Sequence, residues 1–181
     1  NQRATPMSRF VNVAIGQLGP IAKHETRSQV VQRLRALMLQ AHQMGCDLIV
    51  YPELALTTFF PRWYIEDPAE LDAYYKREMP GLETQALFDL SRKLGIGFYI
   101  GYGELAVEDG CTHRYNTSII VDKTGRIAGK YRKVHLPGHE AHEPWRDFQH
   151  LEKRYFEAGK DFPVFEVLGG VFGMAICNDR R

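Results

Sequence analysis

TRSQVVQRLRALMLQAHQMGCDLIVYPE, residues 26–53, is the stretch that decides the fold. Thr26-Arg27-Ser28-Gln29 has the form of a capping box, a hydroxyl residue followed three positions later by a glutamine. Behind it Val30, Val31, Leu34, Leu37, Met38, Ala41 and Met44 recur at helical spacing, and Gly45 stands where such a helix would close. Leu48-Ile49-Val50-Tyr51 is a short continuous apolar run, the pattern of a strand buried on both faces. Upstream, Val11, Val13 and Ile15 alternate with Asn12 and Ala14, which predicts a strand ending near Gln17 and broken by Gly19-Pro20. Strand, capped helix and buried strand in this order predict a βαβ unit with parallel strands.

Downstream the same grammar continues. Pro80-Gly81 precedes a second helix, with Thr84 as its cap, Ala86, Leu87, Leu90 and Leu94 on its inner face and Gly95 at its end. Strands are predicted over 98–105, 117–121, 127–131 and 172–177, with turns at Glu108-Asp109-Gly110 and Lys123-Thr124-Gly125. The whole reads as α/β, helices layered on a mixed sheet. Residues 132–162 form a long connection rich in His, Pro and charge, a length that marks a functional or a disordered segment. Its aromatic residues and a predicted helical turn over 151–156 favour function.

The bulk composition narrows the classes. A chain of 181 residues, 44% hydrophobic, can bury one sizeable core. Its net charge of +1 gives no electrostatic case for nucleic acid, and no apolar run is long enough to span a membrane. Residues 1–8 are polar, lack the apolar centre of a secretory signal and read as a leader or a disordered N-terminus. Three cysteines (Cys46, Cys111 and Cys177) without a CxxC pair argue against a disulfide framework or a thiolate zinc site, and for a reducing, cytoplasmic home. His135, His139, His142 and His150 lack HExxH spacing, and the glycines at 95, 97, 101 and 103 do not form GxGxxG, so neither a metal nor a dinucleotide is expected.

Three reactive side chains follow predicted strands. Glu53 comes directly after Pro52 at the carboxyl end of the 48–51 run, where open α/β sheets bind ligands; a solvated or helix-capping glutamate is the plainer reading. Lys133 lies just past the 127–131 strand in a basic run that could equally be surface. Cys177 ends the stretch GMAIC (173–177), as a nucleophile or as a small buried hydrophobe. Base, cation and thiol on one rim of a sheet are what acyl transfer through a thioester requires. Arg180 and Arg181 could clamp a carboxylate with their planar forks, or form an exposed basic turn.

Pro52-Glu53-Leu54, Lys130-Tyr131-Arg132-Lys133 and Ile176-Cys177-Asn178-Asp179 resemble, in order, the three signatures of the nitrilase superfamily of carbon–nitrogen hydrolases. The resemblance runs from about residue 10 to the end. Residues 57–63, 148–157 and 178–181 most resemble the branch that cleaves N-carbamoyl-D-amino acids to the D-amino acid, carbon dioxide and ammonia. It implies a four-layer α-β-β-α sandwich with Cys177 as nucleophile, Glu53 as base and Lys133 with the Asn178 backbone N–H stabilising the oxyanion. Glu152 would orient Lys133 or position the ureido group. His135 and His150 would support the site or serve as hydrogen-bonded loop histidines, and Arg180 and Arg181 would hold the substrate carboxylate. The resemblance implies no cofactor or metal and a homo-oligomer, dimer or tetramer. Superfamily members continue past the nucleophile, so residues 9–181 are expected to be the N-terminal portion of a single domain, truncated after the nucleophile strand and weakly active or inactive alone. A β-ureidopropionase, an aliphatic amidase, a nitrilase and a non-catalytic fragment are the alternatives.

Overall fold

The computed structural model describes residues 10–180, so the expected leader and Arg181 lie outside the described residues. The opening βαβ unit forms as predicted. Strand β1 (Val13–Ile15), shorter than the alternation implied, precedes helix α1 (Arg27–Gln43) and strand β2 (Leu48–Val50), and β1 and β2 pair in parallel. The capping box is closed in both directions. The Gln29 N–H donates to the Thr26 hydroxyl at 3.3 Å, and the Thr26 N–H donates to Gln29 Oε1 at 2.8 Å. Val30, Val31, Leu34, Met38 and Ala41 form the buried face of α1, and Gly45 ends it in the left-handed region at φ 73°.

A short helix α2 (Pro68–Asp72) and a two-residue strand β3 (Tyr75–Lys76) lead into helix α3 (Gln85–Leu94). Thr84 precedes α3, yet its hydroxyl bonds Gly81 rather than the helix N-terminus. Strands β4 (Gly97–Glu108) and β5 (Cys111–Val121) run further than predicted, because Asp109-Gly110 takes positive φ at both positions and lets the two strands pair up to the turn. Strand β6 (Ile127–Arg132) follows, then helix α4 (Glu152–Tyr155), then a separate hairpin of β7 (Val164–Val167) and β8 (Gly170–Gly173). The strand predicted over 172–177 is therefore corrected. Hydrogen-bonded strand ends at Gly173, although Met174 and Ile176 are buried at alternate positions as in a strand. Alternation fixes which side chains face inward, not which backbone they pair with.

The main sheet has the order β1-β2-β4-β5-β6, with β3 pairing the far end of β4. Its first three strands are parallel, and β5 and β6 are each antiparallel to the strand before, so β6 runs in the direction of β2. The carboxyl ends of β2 and β6 thus share one edge. Alternate residues divide between two cores. Ile49, Phe98, Ile100, Ile119 and Val121 pack under α1 and α3, whereas Leu48, Ile120 and Tyr131 pack with Val167, Met174 and Ile176 on the other face. A third cluster around Phe60, Tyr75, Leu151, Tyr155 and Phe156 pins the long connection to the segment after Phe59. There the Leu151 N–H donates to the Pro61 carbonyl at 2.8 Å, and the Tyr155 hydroxyl donates to the Trp63 carbonyl at 2.8 Å.

Candidate active site

Three inter-strand steps separate β2 from β6, roughly 14 Å, yet Glu53 and Lys133 touch. The turn Pro52-Glu53-Leu54, with Leu54 at φ 49°, crosses over β4 at Gly101. A Cβ at that glycine would stand 2.9 Å from Glu53 Cα and 3.0 Å from the Pro52 carbonyl oxygen, so only hydrogen fits. On β5, Asn116 completes the approach. Its Nδ2 donates to Glu53 Oε1 at 2.7 Å, and its carbonyl accepts the Lys133 backbone N–H at 2.8 Å. Neither Gly101 nor Asn116 carries a local signal for this role: a glycine inside a predicted strand and an asparagine between two strands reveal nothing of the contact with residue 53.

Lys133 is wholly buried between two carboxylates. Its ammonium donates to Glu53 Oε1 at 2.6 Å and to Glu152 Oε2 at 2.7 Å. Burial by itself lowers the lysine pKa, but the Glu53 charge and the hydrogen bonds to Glu152 and Glu53 outweigh it and the net shift is upward. The ammonium therefore stays charged at neutral pH with one N–H unengaged among the described residues. Glu53 Oε2 likewise accepts no hydrogen bond among the described residues, because Lys133 and Asn116 both use Oε1.

Glu152, whose side chain is 1% exposed, is delivered by α4 and shares its Oε1 with His150 Nε2 at 3.0 Å. His150 packs edge-on against Phe59. His135 lies apart from this network. Its half-exposed ring sits 3.5 Å from Asp179 Oδ1 and leans on Phe162. His142 stacks on Tyr64, and among the described residues no group of three or more His, Cys, Asp and Glu could hold a metal.

Cys177 opens a short 3-10 turn, Cys177–Arg180, with φ 47° and an exposed side chain. The left-handed backbone swings the thiol out of the line of Met174 and Ile176. The thiol makes no hydrogen bond among the described residues, and the turn is tied to the residues after β6: Asn178 Nδ2 donates to the His135 carbonyl at 3.2 Å. Arg180 is exposed and makes no ion pair among the described residues. Asp179, part of the third signature but without a role assigned from the sequence, is buried beneath the turn.

A buried carboxylate–lysine–carboxylate network at the edge of a mixed α/β sheet, with an exposed cysteine on a left-handed turn tied to the same strand end, is the arrangement that the fold assembles. Residues 12–181 match the family described as Carbon-nitrogen hydrolase, and the chain belongs to it. It is 30% identical over 168 residues to a glutamine-dependent NAD(+) synthetase of Acinetobacter baylyi, covering 92% of this chain and 27% of that protein. It is 27% identical over 177 residues to N-carbamoylputrescine amidase of Solanum tuberosum, covering 96% of this chain and 52% of that protein. Among solved structures, Nit3 of Saccharomyces cerevisiae, a member of the nitrilase superfamily, superposes with a TM-score of 0.71 at 23% identity, covering 93% of this chain and 56% of that one. That likeness establishes the fold, and the chain spans about half the length of such relatives or less. No helix among the described residues is long and apolar enough to cross a membrane.

Proposed function

We propose that the protein hydrolyses the carbamoyl C–N bond of N-carbamoyl-D-amino acids through a thioester on Cys177. The observation that carries this reading is Lys133, buried and charged, held by Glu53 and Glu152 with one N–H unengaged among the described residues. Glu53 Oε2 takes the thiol proton as sulfur attacks the ureido carbonyl carbon. Lys133 and the Asn178 backbone N–H stabilise the resulting oxyanion. Collapse breaks the bond to the terminal nitrogen, which leaves as ammonia with the proton from Glu53, and a carbamoyl thioester remains. Glu53 then deprotonates water, which displaces the Cys177 thiolate. The released carbamic acid loses carbon dioxide to give the amino acid.

Glu152 and His150 supply polar groups beside Lys133 that suit a ureido nitrogen, and the likeness to N-carbamoylputrescine amidase supports a carbamoyl substrate. Arg180, exposed on the nucleophile turn, suits the substrate carboxylate, with Arg181 beside it in sequence. His135 supports the turn through its backbone. The D-preference and assembly as a homo-oligomer rest on the sequence resemblance. The test is ammonia release from matched N-carbamoyl-D- and N-carbamoyl-L-amino acids by the full-length protein and its Cys177→Ala variant. Release from the D-series, abolished by the substitution, is expected. Unchanged release by Cys177→Ala refutes the mechanism, and release from simple amides alone moves the protein to an amidase branch.

A further inference from the structure

We propose that Asp179 is a positioning residue that sets the nucleophile against the lysine; this rests on the reading of Cys177 and Lys133 above. Its side chain has no exposed surface, and both oxygens are used. Oδ2 accepts the Ile176 N–H at 2.9 Å and the Tyr131 hydroxyl at 2.7 Å. Oδ1 accepts the His135 N–H at 2.8 Å and the Val134 N–H at 3.2 Å. The donors are telling. Ile176 immediately precedes Cys177, Val134 and His135 immediately follow Lys133, and Tyr131 is two residues before it. One carboxylate therefore fastens the backbone entering the nucleophile turn to the backbone leaving the lysine.

The turn needs such a clamp. Cys177 holds a left-handed conformation unfavourable to a residue with a Cβ, and such strain persists only where surrounding contacts over-determine it. Asp179 closes the turn twice, its own N–H donating to the Ile176 carbonyl at 3.1 Å while its side chain receives the Ile176 N–H. Neighbouring strands do not do this work, since β8 ends at Gly173. A carboxylate is required rather than an amide. All four donors point at the two oxygens, and only the Tyr131 hydroxyl can turn round to accept. In Asp179→Asn the amide group would settle on the Tyr131 side and face the Ile176 N–H, loosening the connection next to Cys177 and sparing the one next to Lys133.

The test uses the full-length protein, with Asp179→Asn, Tyr131→Phe and Cys177→Ala. Iodoacetamide labelling, mapped by peptide, gives a readout independent of substrate, with exposed Cys111 and partly buried Cys46 as internal references. Expected for folded Asp179→Asn is a fall of about tenfold or more in the Cys177 rate relative to Cys111. Its kcat should fall by about 10²-fold, the scale of an ångström's misplacement, with KM close to the parent's. Tyr131→Phe keeps the carboxylate and loses one donor, so a smaller loss in the same sense is expected; it carries the test where Asp179→Asn does not fold. Parent-like labelling and kcat in the folded variant overturn the proposal, as does a loss of activity that tracks only the unfolded fraction. If the parent labels Cys177 no faster than Cys111 and Cys177→Ala keeps its turnover, the nucleophile reading itself fails and this inference falls with it.

Discussion

Replacing Lys133 by methionine tests the energetic logic of the network most directly. Methionine fills much of the lysine volume, so the change is chiefly electrostatic. The lysine side chain is 0% exposed, Glu152 is 1% exposed and Glu53 is 21% exposed. Removing the cation leaves the Glu152 carboxylate buried with His150 as its only remaining partner among the described residues, while Glu53 keeps Asn116 and some water. Breaking a buried pair by deleting one partner costs about 3–5 kcal/mol, and the greater part here belongs to Glu152. Lys133→Met with Glu152→Gln should then recover about half of that loss, and Lys133→Met with Glu53→Gln distinctly less, because Glu53 is partly solvated. The assay is urea unfolding of the full-length protein at neutral pH, read as a double-mutant cycle. The sign with pH is fixed as well. The folded state raises the Lys133 pKa above its ordinary value, so the contribution is complete below about pH 10 and is lost as pH rises through the folded value. A loss below about 1 kcal/mol for Lys133→Met, or equal recovery from the two glutamine substitutions, would refute this account of how the lysine is held.

Glu104, buried at the centre of the sheet, accepts Thr117 Oγ1, Lys130 Nζ and both Arg132 Nε and Nη2, and although burial raises its pKa these partners bring it down to about 2. Its stabilisation, about 3 kcal/mol, should be intact above the ordinary carboxylate range and fade as pH falls toward 2, so Glu104→Gln should flatten the acid limb of the stability curve; an unchanged limb would count against it. Gly101→Ala should push the Pro52–Leu54 turn off β4, lowering kcat by about tenfold or more and stability by about 1–3 kcal/mol. Parent-like kinetics in that variant would show that the turn can shift without moving the Glu53 carboxylate.

Local signals alone were enough for the first βαβ unit. The Thr26 capping box, the apolar face of α1 as far as Ala41 and the left-handed Gly45 are properties of residues a few positions apart and formed as read, whereas Met44, read into that face, lies past the helix and is 78% exposed. Local signals also placed the ends of β2 and β6 to within a residue, and with them Glu53 and Lys133 just past strands. The connection over 132–162, which the sequence left as functional or disordered, is ordered and carries Glu152 against Lys133 and His150 against Glu152. Where the reading stopped short, the deciding partner lay far along the chain. Thr84 looks like a helix cap but serves Gly81. Met174 and Ile176 alternate as a strand would, yet the backbone donor of Ile176 belongs to Asp179. Asn116 meets Glu53 across 63 residues, and Lys133 meets it across 80. The order of reactive residues is a property of the sequence because covalent connectivity and dihedral preference are local. Their meeting at 2.6 Å is decided only by the tertiary structure, where two antiparallel steps bring β6 back to the direction of β2 and a missing Cβ at Gly101 lets the chain cross.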